Sequence, residues 1–292
     1  MSRKRAPRRL SRISRILLVT LALVVAAAIV VAISLPDVRR MAASNPTTTT
    51  MIDLRREQAK TAGHAYKLHW DWRPIARVSP FLQRAVVYAE DAQFWKHDGV
   101  DWEAMKDAAE HDWKERSLER GASTITQQVA KNLYLSPSRN PIRKVRELFI
   151  ARRLDRDLGK KRVLELYLNI AEWGEGIFGA EAAARHWFGC SAAELRPAQA
   201  ARLAVALPNP LKRSPAVKSR TLARRAERLV RAMARAGVID ATALAEAQRE
   251  LGVAATMTTT TPATPTTTTP ATALPRLPEE SVPDEALGSD DH

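Results

Sequence analysis

Two glutamates of this chain stand where a hydrophobic core would normally place an aliphatic side chain. On a helix that advances about 100° per residue, Glu90 falls on the apolar side between Val86 and Phe94, whereas Asp91 points toward the polar face. A carboxylate in apolar surroundings is costly unless it is paired, protonated or used in chemistry. Glu90 is therefore a candidate catalytic group.

A second glutamate repeats the pattern on the helix predicted over residues 141–158. Ile150 and Leu154 define the apolar stripe of that helix, and Glu147 lies on the stripe one turn after Arg143. Either glutamate alone is equally well explained as a core ion-pair member that fixes helix packing. Together, beside a cationic and amide-rich segment, the two glutamates favour a catalytic site.

The segment between the two glutamates carries hydrogen-bond donors and cations. It begins with a glycine and two hydroxyl residues, which suits an anion site at a helix N-terminus, although an ordinary amphipathic helix is the simpler alternative. Its candidate residues are Ser123, Thr124, Gln127, Gln128 and Lys131, followed by Arg139, Arg143 and Lys144. An acid beside donors and cations suits the transfer of a sugar or phosphoryl group.

Other chemistries have little support in the sequence. The six histidines show no zinc-ligand spacing, and there is neither a P-loop nor a glycine-rich dinucleotide motif. The formal net charge of +14 favours a polyanionic partner, which is nucleic acid, an anionic membrane surface or a phosphate-bearing substrate.

The N-terminal part of the chain predicts a membrane anchor. Residues 1–15 contain seven cations and no acid, and residues 16–35 form an uncharged run as long as a transmembrane helix requires. A cleaved signal peptide is the alternative, but its apolar region is normally shorter. The cation bias places the N-terminus in the cytoplasm and the rest of the chain outside the inner membrane, in the periplasm. That location argues against nucleic acid as a partner.

The remaining chain divides into three predicted parts. Residues 36–69 form a membrane-proximal linker that leads into the domain, and residues 70–254 form the domain itself. Residues 255–292 are rich in threonine and proline and then acidic, a composition that predicts disorder.

The domain is predicted to be all-α, because strand signals are nearly absent. Asp101 is expected to cap one helix, in which Trp102 faces inward, and Ser123 to cap the next. Predicted helices cover about residues 101–116, 124–132, 141–158, 160–171, 197–207, 219–236 and 240–251.

Five motifs in order, over about residues 70 to 215, resemble the peptidoglycan glycosyltransferases of glycosyltransferase family 51. The first is similar to the family's ED-x-x-F-x-x-H-x-G signature and the second to its G-x-STITQQ-x-x-KN segment. The matching stretches are Glu90–Gly99, Gly121–Asn132, Arg143–Glu147, Leu164–Ala183 and Ala206–Pro210. The chain has no Ser-x-x-Lys transpeptidase motif, so it resembles the monofunctional members.

The resemblance implies a lysozyme-like helical domain with a large lobe and a small membrane-associated jaw. Such enzymes polymerise lipid II onto a growing lipid-linked glycan, with inversion and release of undecaprenyl pyrophosphate. By motif, Glu90 would be the general base, and Glu147 would organise cations or hold a divalent metal, Mg²⁺ or Mn²⁺, at the pyrophosphate. The implied substrate-binding residues are Ser123, Thr124, Gln127, Gln128, Lys131, Asn132, Arg139 and Arg143.

The resemblance also leaves expectations that the motifs alone do not settle. Lys106 and Asp107 occupy the place of a basic contact that the family often carries, and residues 133–135 are the expected apolar surface of the jaw. Other cell-wall synthesis proteins are conceivable partners. Two different functions stay open: a lytic enzyme that cuts finished glycan, and a non-enzymatic anchored scaffold that binds anionic lipid.

Overall fold

The computed structural model describes residues 12–115, 123–136, 140–216 and 219–253. Most of the basic segment 1–15 and the whole acidic tail 255–292 therefore lie outside the described residues. The helices are α1 (Arg12–Ile33), α2 (Arg40–Ala43), α3 (Thr50–Thr61), α4 (Pro80–Glu90), α5 (Trp102–Glu115), α6 (Ile125–Tyr134), α7 (Pro141–Ile170), α8 (Ala180–Phe188), α9 (Pro197–Ala206), α10 (Arg220–Arg235) and α11 (Ala241–Glu250). The predicted helical class is confirmed.

Helix α1 covers most of the apolar run at 16–35. Among the residues that the structure describes, no helix meets the length and apolarity that a membrane crossing requires. Several side chains of α1 lie outside the described part of the chain.

A small sheet is the feature that the sequence did not predict. The strands β1 (His69–Trp70), β2 (Glu172–Gly174) and β3 (Ile177–Phe178) lie in the order β1-β3-β2, with β1 parallel and β2 antiparallel to β3. Strands of two or three residues are too short to show a period-two pattern, so this expectation was wrong for a physical reason. A Cβ at Gly176 would lie 2.2 Å from the Lys67 carbonyl oxygen, which shows how closely the chain packs here.

Helix α7 joins two helices that the sequence predicts separately. Asn140 caps its start by accepting the Ile142 N–H at 2.8 Å, and Pro141 occupies the first turn. The break predicted between residues 158 and 160 is present as a kink, because Gly159 has φ 72° and ψ 162°. The two halves of α7 therefore run in different directions while remaining one element.

The hydrophobic core includes residues of α4, α7, α9 and the strand β2. Leu82, Ile150, Leu154 and Trp173 are fully buried, and α6 packs along α7. Even α3, within the segment predicted as a linker, packs on α6 and buries Ile52. Helix α6 is thus held between α3 and α7, the longest helix.

Three local expectations have different outcomes. Asp101 caps α5, because its Oδ1 accepts the Ala104 N–H at 2.8 Å, so that prediction is confirmed. The inward position of Trp102 is wrong, since 54% of this residue is exposed. The cap of α6 is Thr124 and not Ser123, because the Thr124 hydroxyl accepts the N–H of Gln127.

Candidate active site

Glu90 is the last residue of α4, and its two carboxylate oxygens have different surroundings. Oε2 accepts a hydrogen bond from Gln128 Nε2 at 2.7 Å. Oε1 is out of contact with solvent and has no hydrogen-bond partner among the described residues. One oxygen is thus fixed in place while the other keeps its lone pairs available to a proton donor.

Burial raises the pKa of the Glu90 carboxyl above its ordinary value. The hydrogen bond from Gln128 and the charges of Lys131 and Arg213 lower that pKa in part, and Asp91 raises it. A raised pKa makes the ionised carboxylate a stronger base at neutral pH. The predicted apolar environment of Glu90 is confirmed.

Tyr167 holds the amide of Gln128 from the other side. Its hydroxyl donates to Gln128 Oε1 at 3.3 Å, and the residue is 1% exposed. Burial keeps the pKa of the Tyr167 phenol well above its usual value, so the hydroxyl stays protonated and can donate. With its oxygen directed to Tyr167, the amide presents its NH₂ group to Glu90.

Asp91 is buried and does not point toward a polar face, which corrects the sequence prediction. The chain leaves the helix at Asp91, where φ is −161°, so the helical phase no longer applies. Its carboxylate accepts the Ile125 N–H at 2.9 Å and lies 3.0 Å from His97 Nε2. Asp91 therefore ties the start of α6 to the loop that follows Glu90.

Lys160 supports that loop from the kink of α7. Its ammonium lies 2.6 Å from an oxygen of Asp155 and 4.8 Å from the ring centre of Phe94, and it donates to the His97 carbonyl. The same ammonium lies 3.4 Å from His97 Nδ1, so Nδ1 accepts and Nε2–H is the donor to Asp91. The residues after Glu90 are thus fixed to both α6 and α7.

Glu147 is a buried carboxylate that gathers cations, as the sequence predicted. It is 3% exposed, and its Oε2 accepts from Arg143 Nη1 at 2.7 Å. Its Oε1 accepts from Lys144, whose ammonium also donates to Ser123 Oγ at 3.1 Å. Two cations and a hydroxyl therefore meet around one acid next to the start of α6.

Lys131 completes this cationic group. Its ammonium makes no hydrogen bond and no ion pair with any residue that the structure describes. Burial lowers the pKa of Lys131, the charge of Glu147 raises it, and Arg143 and Lys144 lower it further. A half-buried cation without a partner is a ready site for an anionic group of a ligand.

Two predicted substrate-binding residues instead build the helix start. Thr124 and Gln127 form a capping box, in which Gln127 Oε1 accepts the Thr124 N–H at 2.9 Å, and both residues are buried. Their side-chain oxygens thus bond to the backbone, whereas Gln127 Nε2 has no hydrogen-bond partner among the described residues, so their contact with substrate stays a prediction. Asn132 is also buried at 9% exposure. Arg139 lies outside the described residues.

The residues around Glu147 do not fit a divalent metal. Both oxygens of Glu147 already accept hydrogen bonds from cations, and Mg²⁺ or Mn²⁺ requires several oxygen ligands. In the described ranges, no group of three or more His, Cys, Asp or Glu residues could hold such an ion.

Sequence reasoning missed two residues near Glu90. Tyr167 lies on the buried face of α7, but nothing in the spacing indicates that it reaches Gln128. Arg213 lies close enough to lower the pKa of Glu90, although it is more than a hundred residues away along the chain. Lys106, offered for the missing basic contact, has a 77% exposed side chain that lies 3.9 Å from Glu110.

The assembled site can do two things at once. Glu90 can accept a proton in apolar surroundings, and Lys131, Arg143 and Lys144 can stabilise negative charge on a nearby group. A base and an anion site side by side suit the displacement of a phosphorylated leaving group by a hydroxyl.

Comparison with known proteins gives consistent matches. A family model described as Transglycosylase matches residues 57–234. A protein of Aromatoleum aromaticum named biosynthetic peptidoglycan transglycosylase is 48% identical over 166 residues, which are 57% of this chain and 72% of the relative. A protein of the same name from Bordetella pertussis is 53% identical over 148 residues, 49% of this chain and 61% of the relative. The equivalent protein of Dechloromonas aromatica is 46% identical over 166 residues, 57% of this chain and 72% of its own length.

Proposed function

Because the chain belongs to the transglycosylase family, we propose that it is a peptidoglycan glycosyltransferase that polymerises lipid II into glycan strands. The donor is the growing lipid-linked glycan, and the acceptor is a further lipid II molecule. The reaction belongs to the synthesis of the cell envelope. The curated relatives carry the name of this activity, and the geometry of the site supports its chemical details.

Glu90 acts as the general base in the proposed reaction. It takes the proton from the 4-hydroxyl of the acceptor sugar, and that oxygen forms a bond to C1 of the donor sugar. The bond from C1 to the pyrophosphate oxygen breaks with inversion, and undecaprenyl pyrophosphate leaves. The free Oε1 of Glu90 is the atom suited to accept this proton.

The cations lower the barrier by stabilising the leaving group. Negative charge grows on the pyrophosphate as the C1–O bond breaks, and fixed cations act most strongly in a partly buried site. Lys131, Arg143 and Lys144 are the described candidates, and Glu147 orients the last two. Ser123 and Gln128 take positioning roles, and Arg139 remains a candidate by sequence alone.

We place the protein at the inner membrane, with residues 16–35 as a single span, the N-terminus in the cytoplasm and the catalytic domain in the periplasm. Of the apolar surface expected at residues 133–135, Leu133 and Tyr134 are half-buried, and the expectation is wrong for Leu135, which is 4% exposed. A row of exposed apolar side chains lies on α7, at Ile142, Val145 and Phe149. This stripe is the surface suited to meet the lipid in which the substrate is embedded.

The observation that carries the proposal is that a buried base, Glu90, lies near a cation, Lys131, that has no partner among the described residues. The test is incubation of the purified protein with lipid II, with and without Mg²⁺ or Mn²⁺, followed by gel separation of the products. We expect glycan polymer that depends on the enzyme. Lipid II recovered unchanged in every condition would refute the activity.

The lytic alternative has less support from the site. A glycan hydrolase needs a catalytic carboxylate, but it has no leaving pyrophosphate to stabilise with Lys131, Arg143 and Lys144. Loss of turbidity from isolated cell walls without polymer formation from lipid II would favour hydrolysis. A scaffold function would leave the unpartnered Oε1 of Glu90 without a role.

A further inference from the structure

One face of α7 changes character along its length. Ile142, Val145 and Phe149 are 62%, 44% and 53% exposed, and they lie on one face of the first part of the helix. Arg153 and Arg156 continue the same face in the next two turns. Over a rise of about 20 Å, the exposed face thus passes from apolar to cationic.

The cationic part of this face borders a cavity of about 370 Å³. One wall is the segment that follows α1, and the other is α7. The lining residues are Leu35, Pro36, Asp37, Val38, Arg39, Arg153, Arg156 and Asp157. A cavity of this volume is large enough for a phosphate ester and its small alcohol.

The chain leaves α1 beside α7 and then forms one wall of the cavity. The carbonyl oxygen of Ser34 accepts from Arg146 Nη2 at 3.0 Å, so the end of α1 lies beside the apolar part of α7. The next residues then pass Arg153 and Arg156. Both the end of α1 and the apolar stripe therefore lie on the same side of the cavity.

The arginines of the cavity have donors to spare. Arg156 Nε donates to Asp157 Oδ1 at 2.7 Å, whereas Arg39 Nε is 3.8 Å from the same carboxylate and its side chain is 80% exposed. Arg153 makes no hydrogen bond or ion pair with any described residue. Three guanidinium groups face two carboxylates, so the lining keeps a positive charge, and guanidinium groups suit phosphate oxygens.

We propose that this cavity binds the phosphodiester headgroup of an anionic phospholipid. Arg153 and Arg39 donate to the phosphate oxygens, and Asp157 holds Arg156 in place beside them. The apolar stripe at Ile142 and Phe149 then meets the acyl chains, and along α7 Phe149 lies about 10 Å and Ile142 about 20 Å from Arg156. The inference rests on the proposed membrane location and is independent of the glycosyl transfer reaction.

The test uses the full chain in detergent and three probes, measured by isothermal titration. The probes are short-chain phosphatidylglycerol, short-chain phosphatidylcholine with the same acyl groups, and inorganic phosphate. We expect phosphatidylglycerol to bind about tenfold more tightly than phosphatidylcholine, because charge-assisted hydrogen bonds to phosphate are strengthened when the lipid carries net charge. Equal affinity for the two lipids would overturn the proposal, as would binding of inorganic phosphate without binding of phosphatidylglycerol.

A double variant and a matched control locate the site. Arg153→Gln with Arg156→Gln removes two charges of the cavity, and Arg228→Gln removes one exposed charge of α10, a helix that packs on α4, α9 and α11. We expect the double variant to lose the preference for phosphatidylglycerol and Arg228→Gln to keep it. An unchanged preference in a double variant with a wild-type melting temperature would overturn the assignment.

The outcome is distinguishable from a failure of the proposed function. Glycan synthesis from lipid II in detergent tests the reaction, and we expect the double variant to retain it. A protein that binds phosphatidylglycerol through this cavity but makes no glycan would contradict the transferase and leave the lipid site standing. A double variant that loses the lipid preference through misfolding is identified by its melting curve.

Discussion

Glu90, the proposed general base, is held in the fold at a cost in stability. Its carboxylate sits in apolar surroundings with a single hydrogen bond, from Gln128, and its pKa is raised chiefly by burial. A raised carboxyl pKa means that the folded state favours the protonated form. The ionised form required of a base therefore lowers the stability of the protein at neutral pH.

This cost predicts the stability of Glu90→Gln. The substitution removes the buried charge, so we expect an equal or higher melting temperature than wild type near pH 7 to 8. The gain is about 1.4 kcal/mol for each pH unit by which the pKa is raised. It should vanish as pH falls below about 4.5, where the carboxyl is protonated in both folded and unfolded states.

Calorimetry at several pH values measures this effect. Glu175→Gln is the matched control, because Glu175 is an exposed glutamate of the same domain. A Glu90→Gln protein that is clearly less stable than wild type at neutral pH would show that the ionised carboxylate stabilises the fold.

Tyr167 is predicted to set the pH at which Glu90 works. In Tyr167→Phe, the Gln128 amide is free to turn its oxygen toward Glu90, which favours the protonated carboxyl. The other charges near Glu90, which are Lys131, Arg213 and Asp91, are unchanged. We expect the acid limb of the activity profile to move up by about half a pH unit.

The measurement is the rate of glycan synthesis as a function of pH. Tyr66→Phe is the control, since it removes a hydroxyl that has no partner among the described residues and does not touch Gln128. A uniform loss of rate in Tyr167→Phe, with the same acid limb as wild type, would mean that the hydroxyl contributes to packing and not to positioning.

At the scale of elements, the loop between α4 and α5 connects the base to the rest of the site. Thr124 Oγ donates to the Gly99 carbonyl at 2.7 Å, and Asp91 accepts the first N–H of α6. Gly99 itself has φ 80°, and a Cβ there would lie 2.7 Å from the Ala151 carbonyl oxygen. The loop thus packs directly against α7.

Gly99→Ala is therefore predicted to lower the free energy of unfolding by more than the strained backbone conformation alone would. The left-handed φ costs about 1 kcal/mol for alanine, and the clash with Ala151 adds about 1 to 3 kcal/mol. Gly63→Ala is the matched control, because Gly63 has φ 75° and nothing within 4 Å of an added Cβ. Equal losses in unfolding free energy for the two variants would contradict the close approach of loop and helix.

The helices also show which structural features a sequence pattern can predict and which it cannot. Helical periodicity placed Glu90 and Glu147 in apolar surroundings, because both lie on regular helices with clear apolar stripes. It failed for Asp91, since the helix ends at Glu90 whereas the pattern continues it to Phe94. A period carries no information about where a chain leaves its helix, which depends on hydrogen bonds to distant residues such as Ile125.

Residue type and spacing were likewise not enough to predict the roles of the side chains within α6. Thr124 and Gln127 have the residue types of ligand-binding groups, but their spacing is equally that of a capping box, and the local helix start uses them. Tyr167 and Arg213 reach the site only through tertiary packing. Nothing in their own segments marks them as neighbours of Glu90.

At the scale of the whole molecule, α7 connects the cationic site to the proposed membrane surface. Glu147 and Arg143 lie on one side of its first half, and the exposed apolar stripe lies on the other. A substrate whose lipid is embedded in the bilayer would need its pyrophosphate near the membrane surface. In the proposed membrane location, this arrangement brings the cations toward the bilayer surface, where the pyrophosphate would lie.

If the exposed apolar side chains of α7 contact the membrane, replacing them should reduce activity in vesicles more than in detergent. Ile142→Ser with Phe149→Ser removes apolar surface that is already exposed, so the melting temperature should be unchanged within about 1 °C. We expect glycan synthesis in lipid vesicles to fall by about tenfold relative to synthesis in detergent, because less apolar area is buried in the bilayer. The ratio of the two rates is the measured quantity.

A control for this ratio is Leu211→Ser, which removes an apolar residue that is 50% exposed and outside α7. Because the ratio divides out any direct effect on the reaction, it should stay at the wild-type value in the control. If the ratio also stays at the wild-type value in Ile142→Ser with Phe149→Ser, the exposed apolar side chains of α7 do not meet the membrane.

The most direct test of the account is glycan synthesis from lipid II by purified Glu90→Gln. The amide keeps the shape of the side chain but cannot take the acceptor's proton, so the account predicts a folded protein whose polymerisation rate falls by about 10³-fold or more. A folded Glu90→Gln protein that polymerises lipid II at close to the wild-type rate would contradict the role of Glu90 as the base.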